Sequence, residues 1–390
     1  MSAISGPNIV EDGLVLTLDA GNIKSFRGEP TVNLINNADF SNGTTNWSAN
    51  QNVTLSIENI NNVRFLKIRS NQSTSTPGFL SDTFNVSGNT TYTLTIRAYK
   101  NDSSGVFLYA TGNGTGGSNI VWTSTNGPNP ISNQLMVISR TFTTPADMST
   151  LRVGALWSPP TTTSEIYVEY MQIEQKPYAT PFVNGTRGTT VATGGGLGDM
   201  SGNSNHGELV NGPTFSTDRG GSIVFDGIND YVTIPNTTMG NGNIAWTINT
   251  WTKTTTAVNS LGLGSIVSNA SGGPVYSMLG VNGGKIVYWT YQSNAWSQKL
   301  GVRTINDGNW HMLTWVNYTN YTMDMYVDGT FDANVANSTS GNNNPLDRVG
   351  GSWAGYYNGF ISIFQITKNK ALSASEIQQN YNAMRGRFGI

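Results

Sequence analysis

Carboxylates four residues apart are the first groups in this chain that could do chemistry. Glu165 and Glu169 flank Tyr167 in the run EIYVEY, and period-two alternation puts all three on one strand face. Hydrolysis of a glycosidic bond needs two carboxyl groups facing each other roughly 5 to 10 Å apart, and the middle position here is a tyrosine. The two histidines, His206 and His311, fall in a Gly/Asn turn and at an alternating strand position, so both are read as structural. Serine is plentiful, but no GxSxG elbow follows a strand and precedes a helix. No catalytic residue is assigned.

Binding chemistry has more material. Asp226, Asn229 and Asp230 crowd hard oxygens into one turn, a set suited to calcium, although the same residues also build Asx turns. Tyr288 and Trp289 lead to Tyr291 and Trp296, and Trp353, Tyr356 and Tyr357 follow. Such rings can stack on sugars while Asn and Asp read the hydroxyls. The candidate carbohydrate contacts are Trp289, Tyr291, Trp296, Trp353, Tyr356 and, earlier in the chain, Trp122. Alternation sends at least one of Tyr288 and Trp289 inward. Trp47, Tyr109, Trp122 and Trp157 are also suited to filling a core.

The elements that must position these groups are strands. Asp307 to Phe331 reads as an antiparallel hairpin with one wet face: two alternating runs joined by Asn317 to Asn320, the second ending at Asp328-Gly329. Charged residues are only 11% of the chain and Gly numbers 45, which suits short strands and tight turns. With 21 basic against 23 acidic residues and no basic cluster, nucleic-acid binding is not expected. Cys is absent, so apolar cores must hold the fold. The N-terminus has no basic n-region and its first apolar run is too short for a signal or a span, which implies cytoplasmic synthesis without classical export. One helix is expected, Ser373 to Met384, with a Ser373/Glu376 capping box and an ending at Arg385-Gly386.

Strand-like runs at Val63–Arg69, Tyr92–Tyr99, Val106–Ala110, Met136–Phe142, Leu151–Leu156 and Ile166–Ile173 suggest a β-sandwich. With Asn33-Leu34-Ile35, Asp39-Phe40, Trp47 and Tyr178 to Phe182, this stretch resembles the galactose-binding-like jelly rolls of carbohydrate-binding modules. That resemblance implies a sugar-binding face with an aromatic platform. Phe225-Asp226-Gly227, Asp230-Tyr231-Val232, Trp310-His311, Tyr326 to Gly329, Tyr357 to Ile361 and Leu372 to Ile377 resemble the concanavalin A-like laminin-G sandwiches, especially those of tailed phages. The Glu165/Tyr167/Glu169 triplet is only faintly similar to the Glu-x-Asp-x-Glu motif of laminarinase-type enzymes, and it lies outside that sandwich.

Members of the laminin-G-like group open with a GLVL-LDA-type strand running straight into a Ser-Gly-Asn turn, here split between Gly13–Phe26 and Ser201–Asn203. The expectation is therefore all-β: two β-sandwich (jelly-roll) domains, one inserted in the other, with a short C-terminal helix. Residues 1–26 supply the first strand of the laminin-G-like sandwich and 27–185 the inserted jelly roll. Residues 186–197, rich in Gly and Thr, read as a linker, and 198–390 complete the sandwich. The resemblances imply a non-enzymatic virion surface protein of a tailed phage, a capsid decoration or fibre-like subunit with glycan- or host-surface-binding capacity. The alternatives are a tail-tip receptor-binding lectin and, more distantly, a polysaccharide-degrading enzyme. The implied partners are other virion proteins, host-surface glycans and further copies of the chain.

Overall fold

The computed structural model describes residues 8–50, 52–71, 78–101, 105–114, 119–121, 134–158, 164–238, 244–256, 264–268, 276–292, 295–320, 322–336, 345–352 and 355–390. The fold is all-β, with one α-helix, Ala374–Phe388, among the described residues. Two compact units divide the chain: Met1–Glu29 with Gly188–Ile390, and Pro30–Arg187.

In the discontinuous unit, an eight-stranded and a seven-stranded antiparallel sheet enclose one apolar core. The longest strand, Asn358–Lys368, is the hub of the larger sheet. Trp246–Lys253 runs along one of its edges. The other edge is shared end to end: Ser222–Asp226 pairs with residues 358–361, and the N-terminal strand Leu14–Asp19 pairs with residues 363–367. Leu16 and Leu18, 0% and 2% exposed, enter the core from that strand.

Among the described residues no strand lies beside the outer edge of Leu14–Asp19. The turn after Gly198 supplies partners instead: Asp199 Oδ1 accepts from the Thr17 amide at 2.9 Å, and the Asn203 and Asn205 side-chain amides donate to the carbonyls of Leu14 and Val15 at 3.2 and 2.8 Å. Side chains thus satisfy backbone groups that an open edge would leave bare.

The hairpin Trp310–Asn317/Thr322–Val327 departs from its expected single wet face. Leu313 and Trp315 point into the sandwich core, while Trp310, Met312 and Val316 on the other face form a second cluster with Trp251, Ile377 and Phe388. The cause is the C-terminal helix, which lies over that face and stacks Phe388 on Trp251 at 4.1 Å. The Ser373/Glu376 capping box is present. The helix does not stop at Gly386, however, but runs to Phe388 and caps on Gly389. Burying Phe388 is worth about 1.5–3 kcal/mol, more than the roughly 1 kcal/mol that an internal glycine costs. At the turn of the next hairpin, Asp328 and Gly329 have φ of 53° and 73° between Val327 and Thr330, the positive pair that a two-residue I′ connection requires.

In the other unit the five-stranded sheet runs Met136–Thr143, Thr91–Lys100, Glu165–Glu174, Val63–Ser70, Val53–Ile60, and a six-stranded sheet shares its core. Trp47 is a core residue there, packed on Phe40 and Phe79. The ends of the unit meet, since Thr31–Val32 pairs with Thr186–Arg187. Buried Glu174 accepts hydrogen bonds from Thr31 Oγ1 (2.7 Å) and from the Thr180 amide (2.7 Å) and hydroxyl (2.8 Å), and Arg187 donates to Thr180 Oγ1 (2.7 Å). Neighbouring ends make insertion into a loop inexpensive in chain entropy.

Residues 186–197, expected as a linker, are structured instead. Thr186 and Arg187 are strand, Thr190 caps the 3₁₀ turn Val191–Thr193, and buried Leu197 bridges to Phe26 and Gly207. Thr190 and Thr193 form a capping box, and Thr189 Oγ1 donates to Glu208 Oε1 at 2.9 Å.

Candidate glycan-binding surfaces

On the jelly-roll unit the strand Glu165–Glu174 sets the outer face of the five-stranded sheet. Ile166 and Val168 point into the core. The register then shifts between Val168 and Tyr170, so that Met171 and Ile173 point inward again. Such a bulge re-aims side chains. Before it, Tyr167 stands between Lys67 and Tyr99 in one cross-strand row.

The rings of Tyr99 and Tyr167 stack at 4.6 Å and 2°, with Phe65 edge-on to both. Lys67 Nζ lies 3.1 Å from Glu58 and 3.1 Å from Glu165, and 5.3 Å above the Tyr167 ring. The Tyr167 hydroxyl donates to Glu165 at 2.6 Å. Next along the face, Arg97 pairs with Glu169 Oε1 at 3.0 Å, while the buried Oε2 has no hydrogen-bond partner among the described residues.

Electrostatics follow this geometry. Burial, and then the Glu165 hydrogen bond, push the Tyr167 phenol up to about 12. Burial works to lower the Lys67 ammonium, but its bonds to Glu58, Glu165 and Tyr167 outweigh that and raise it. For Glu165, burial acts upward, yet Tyr167 and Lys67 together hold the carboxyl below its ordinary range. The row is a fixed array of ring faces, donors and ionised acceptors.

The aromatic candidates of the other unit are placed as follows. Tyr288 and Tyr357 are core residues of the sandwich. Trp289 points to the opposite face of the seven-stranded sheet, half-buried against Met278. Tyr291 and Trp296 are paired in register on adjacent strands, Lys285–Gln292 and Ala295–Thr304. Tyr356 is half-buried, beside Gly351 in a short two-stranded ladder. Trp122 and Trp353 lie outside the described residues.

Asp226 Oδ1 accepts from the amides of Ile228 (2.7 Å) and Asn229 (3.3 Å), and Asp230 Oδ2 accepts from the Asp226 amide (3.1 Å). Burial raises Asp230. The turn is thus an Asx turn with Asp226 Oδ1 and Asp230 Oδ2 on backbone N–H groups. Among the described residues no three His, Cys, Asp or Glu side chains gather closely enough to hold a metal ion.

Neither histidine faces a nucleophile among the described residues. His206 Nδ1 accepts from the Asp199 amide at 3.0 Å. His311 is held between Asp328 (Nδ1, 2.8 Å) and Asp307 (Nε2, 3.1 Å). Burial opposes its charge, but the two carboxylates, Asp328 foremost, outweigh burial and raise its pKa.

Sequence reasoning singled out Glu165, Tyr167 and Glu169 but not Lys67, Arg97 or Tyr99. A signal was present for Arg97 and Tyr99, which occupy the parity opposite to Tyr92, Leu94, Ile96 and Ala98, whereas Lys67 shares its parity with Phe65. What linear sequence lacks is the register that sets the three strands side by side.

Comparison with known proteins agrees with the two units. Residues 226–378 match the Laminin_G_3 family of the concanavalin A-like lectin/glucanases superfamily, and residues 32–163 match the CBM_4_9 carbohydrate binding domain. The chain therefore carries a laminin-G-type sandwich and a carbohydrate-binding domain. No curated protein matches it.

Among solved structures, it is similar to the binding domain of Paraclostridial Mosquitocidal Protein 1, at 18% identity over 48% of this chain and 49% of that one, with a TM-score of 0.38. It is also similar to the binding domain of Botulinum neurotoxin DC in complex with rat synaptotagmin II, at 14% identity over 48% and 49%, with a TM-score of 0.40. The match spans about half the length of these structures.

Proposed function

We propose that the chain is a non-enzymatic glycan-binding protein whose jelly-roll unit holds polysaccharide on the outer face of its five-stranded sheet, and that it works as a surface subunit of a tailed-phage virion. The observation that carries the binding reading is the row Lys67, Tyr167, Tyr99 with its stacked rings and bridging carboxylates. A sugar presents a C–H face to an aromatic ring and a rim of hydroxyls to charged donors and acceptors, and half-exposed Tyr99, Arg97 and Glu58 offer both. The match of residues 32–163 to a carbohydrate binding domain supports this reading.

Hydrolysis fits the same groups poorly. A glycosidase acid needs a raised pKa, whereas Tyr167 and Lys67, the latter shared with Glu58, hold the Glu165 carboxyl below its ordinary range against the effect of burial.

The virion setting rests on the resemblance of the C-terminal sandwich to those of tailed phages. There the partners are other virion proteins and further copies of the chain. Imaging of purified particles discriminates a decoration subunit, present in many copies on the capsid lattice, from a tail-tip adhesin, present in few copies at one vertex.

The binding reading is tested on a polysaccharide array with the intact chain and its Tyr99→Ala variant, alongside a reducing-sugar assay. At least tenfold weaker binding by the variant, with no sugar released, is expected. Unchanged binding removes this face from the reading, and released reducing sugar overturns the non-enzymatic one.

A further inference from the structure

The partly exposed cations Lys67, Arg97, Lys253, Lys370 and Arg387 each stand within 3.1 Å of a carboxylate. Arg348 is different. It lies on the strand Pro345–Val349 of the seven-stranded sheet, opposite Thr233 on one neighbouring strand and Ser268 on the other. Val232 and Val349, which alternate with Thr233 and Arg348, fill the sandwich core, so Thr233 and Arg348 face outward. Arg348 is half-buried, its Nε is buried without a hydrogen-bond partner, and no ion pair joins the guanidinium to another described residue.

A ring holds it in place. Arg348 Cζ sits 4.3 Å from the centroid of the Tyr231 ring, its diagonal neighbour on the same face. Tyr231 is itself confined. A Cβ at Gly351 would meet the Tyr356 ring at 2.6 Å and Tyr231 Cβ at 3.2 Å, so only glycine lets the two tyrosines close over that position. The carboxylate of Glu208 belongs to the strand beyond Thr233, about 10 Å from the Arg348 backbone across the sheet, and its Oε1 accepts from Thr189 Oγ1.

Arginine keeps its charge at any ordinary pH, and partly burying a charge without an acceptor is costly. The contact with Tyr231 fixes the plane of the guanidinium but fills none of its N–H donors. A planar donor fork, held in one orientation and given no carboxylate by the chain, is pre-organised for an oxyanion from outside.

We propose that Arg348 anchors a binding site for a carboxylate carried on a sugar ring, as in a uronic-acid polysaccharide. The terminal amino groups of the guanidinium take the two carboxylate oxygens in one plane, an arrangement a lysine ammonium cannot reproduce. Tyr231 supports the fork from beneath and is not the platform for the sugar. The anion part of the proposal rests on Arg348 alone, and the sugar part rests on the glycan-binding reading above, extended to the second unit. With both surfaces engaged, one chain contacts two glycan groups and gains avidity.

The test uses the intact native chain with methyl glucuronide, with methyl glucoside as the sugar without the charge, and with acetate as the charge without the sugar. Binding is read by NMR from the shifts of the Arg348 Nε–H and of the Thr233 and Ser268 amides, which report on this face alone. The glucuronide is expected to shift these resonances and to bind at least tenfold more tightly than either control, and added salt to weaken it. Arg348→Gln is expected to weaken the glucuronide at least tenfold. Arg348→Lys, which keeps the charge but loses the planar fork, is expected to weaken it three- to tenfold. Circular dichroism checks that each variant keeps its fold, and if one does not, the Nε–H shift and the probe preference of the native chain decide.

No shift with the glucuronide, equal affinity for methyl glucoside or acetate, or unchanged binding by folded Arg348→Gln overturns the proposal. Array binding that falls with Tyr99→Ala while the glucuronide leaves Arg348 unshifted overturns this proposal and keeps the jelly-roll reading. A shift at Arg348 together with array binding that Tyr99→Ala leaves unchanged does the reverse.

Discussion

Replacing Leu16 by Ala tests whether the N-terminal strand belongs to a sandwich whose other strands lie beyond residue 188. Leu16 is fully buried between the two sheets, on a strand that completes the edge of Asn358–Lys368. Truncating a buried Leu costs about 2–5 kcal/mol, the transfer of the lost methyl groups plus the cavity they leave. Taking about 3 kcal/mol, and about 2–4 °C per kcal/mol for a unit of this size, the melting temperature of that unit should fall by about 6–12 °C.

Hydrogen exchange read by mass spectrometry locates the loss. Amides of residues 363–367, which face the N-terminal strand, should exchange faster, while those of Thr91–Lys100 in the jelly roll serve as the control. Unchanged exchange at 363–367, or an equal loss at Thr91–Lys100, would refute the reasoning.

Arg387→Ala should cost about 1–3 kcal/mol, read from the urea midpoint, because Arg387 ties the helix end to Asp19 (2.6 Å), Ser362 Oγ (2.6 Å) and the Gly221 carbonyl (2.8 Å). The pH dependence of His311 has a definite sign. Its folded pKa is raised by Asp328 and Asp307 against the effect of burial, so the stability it contributes is full below its unfolded value of about 6.5. That contribution is lost as pH rises through the folded value, and the gap in urea midpoint between the native chain and His311→Gln should shrink over that window; a gap that widens contradicts the ion-pair geometry. EDTA or added calcium should leave the melting temperature unchanged, since Asp226 and Asp230 already serve backbone amides; a shift of several degrees would instead assign the turn to calcium.

How much was legible in the sequence differs between fold and site. The six jelly-roll strands picked out by apolar alternation all appear, each within one or two residues of its expected ends. Local rules also found the C-terminal helix, because Ser373 and Glu376 carry their own start signal. Its end was misplaced, because Gly386 was read by its intrinsic preference while Phe388 was bound by a distant Trp251.

The site was less readable. Glu165, Tyr167 and Glu169 were seen as one face, but their chemistry depends on Lys67, Arg97 and Tyr99 from two other strands.

The sequence by itself determined the all-β class, the carriers of the apolar alternation and the turns at Asp328-Gly329 and Asp226 to Asp230, because these follow from side-chain period and backbone preference over a few residues. Only the tertiary structure decided that Glu165 is paired with Lys67, that both faces of the Trp310–Asn317 strand are covered, and which of Tyr288 and Trp289 faces outward. Register, burial and the field of neighbouring charges are set by segments far away in the chain, and no local pattern contains them.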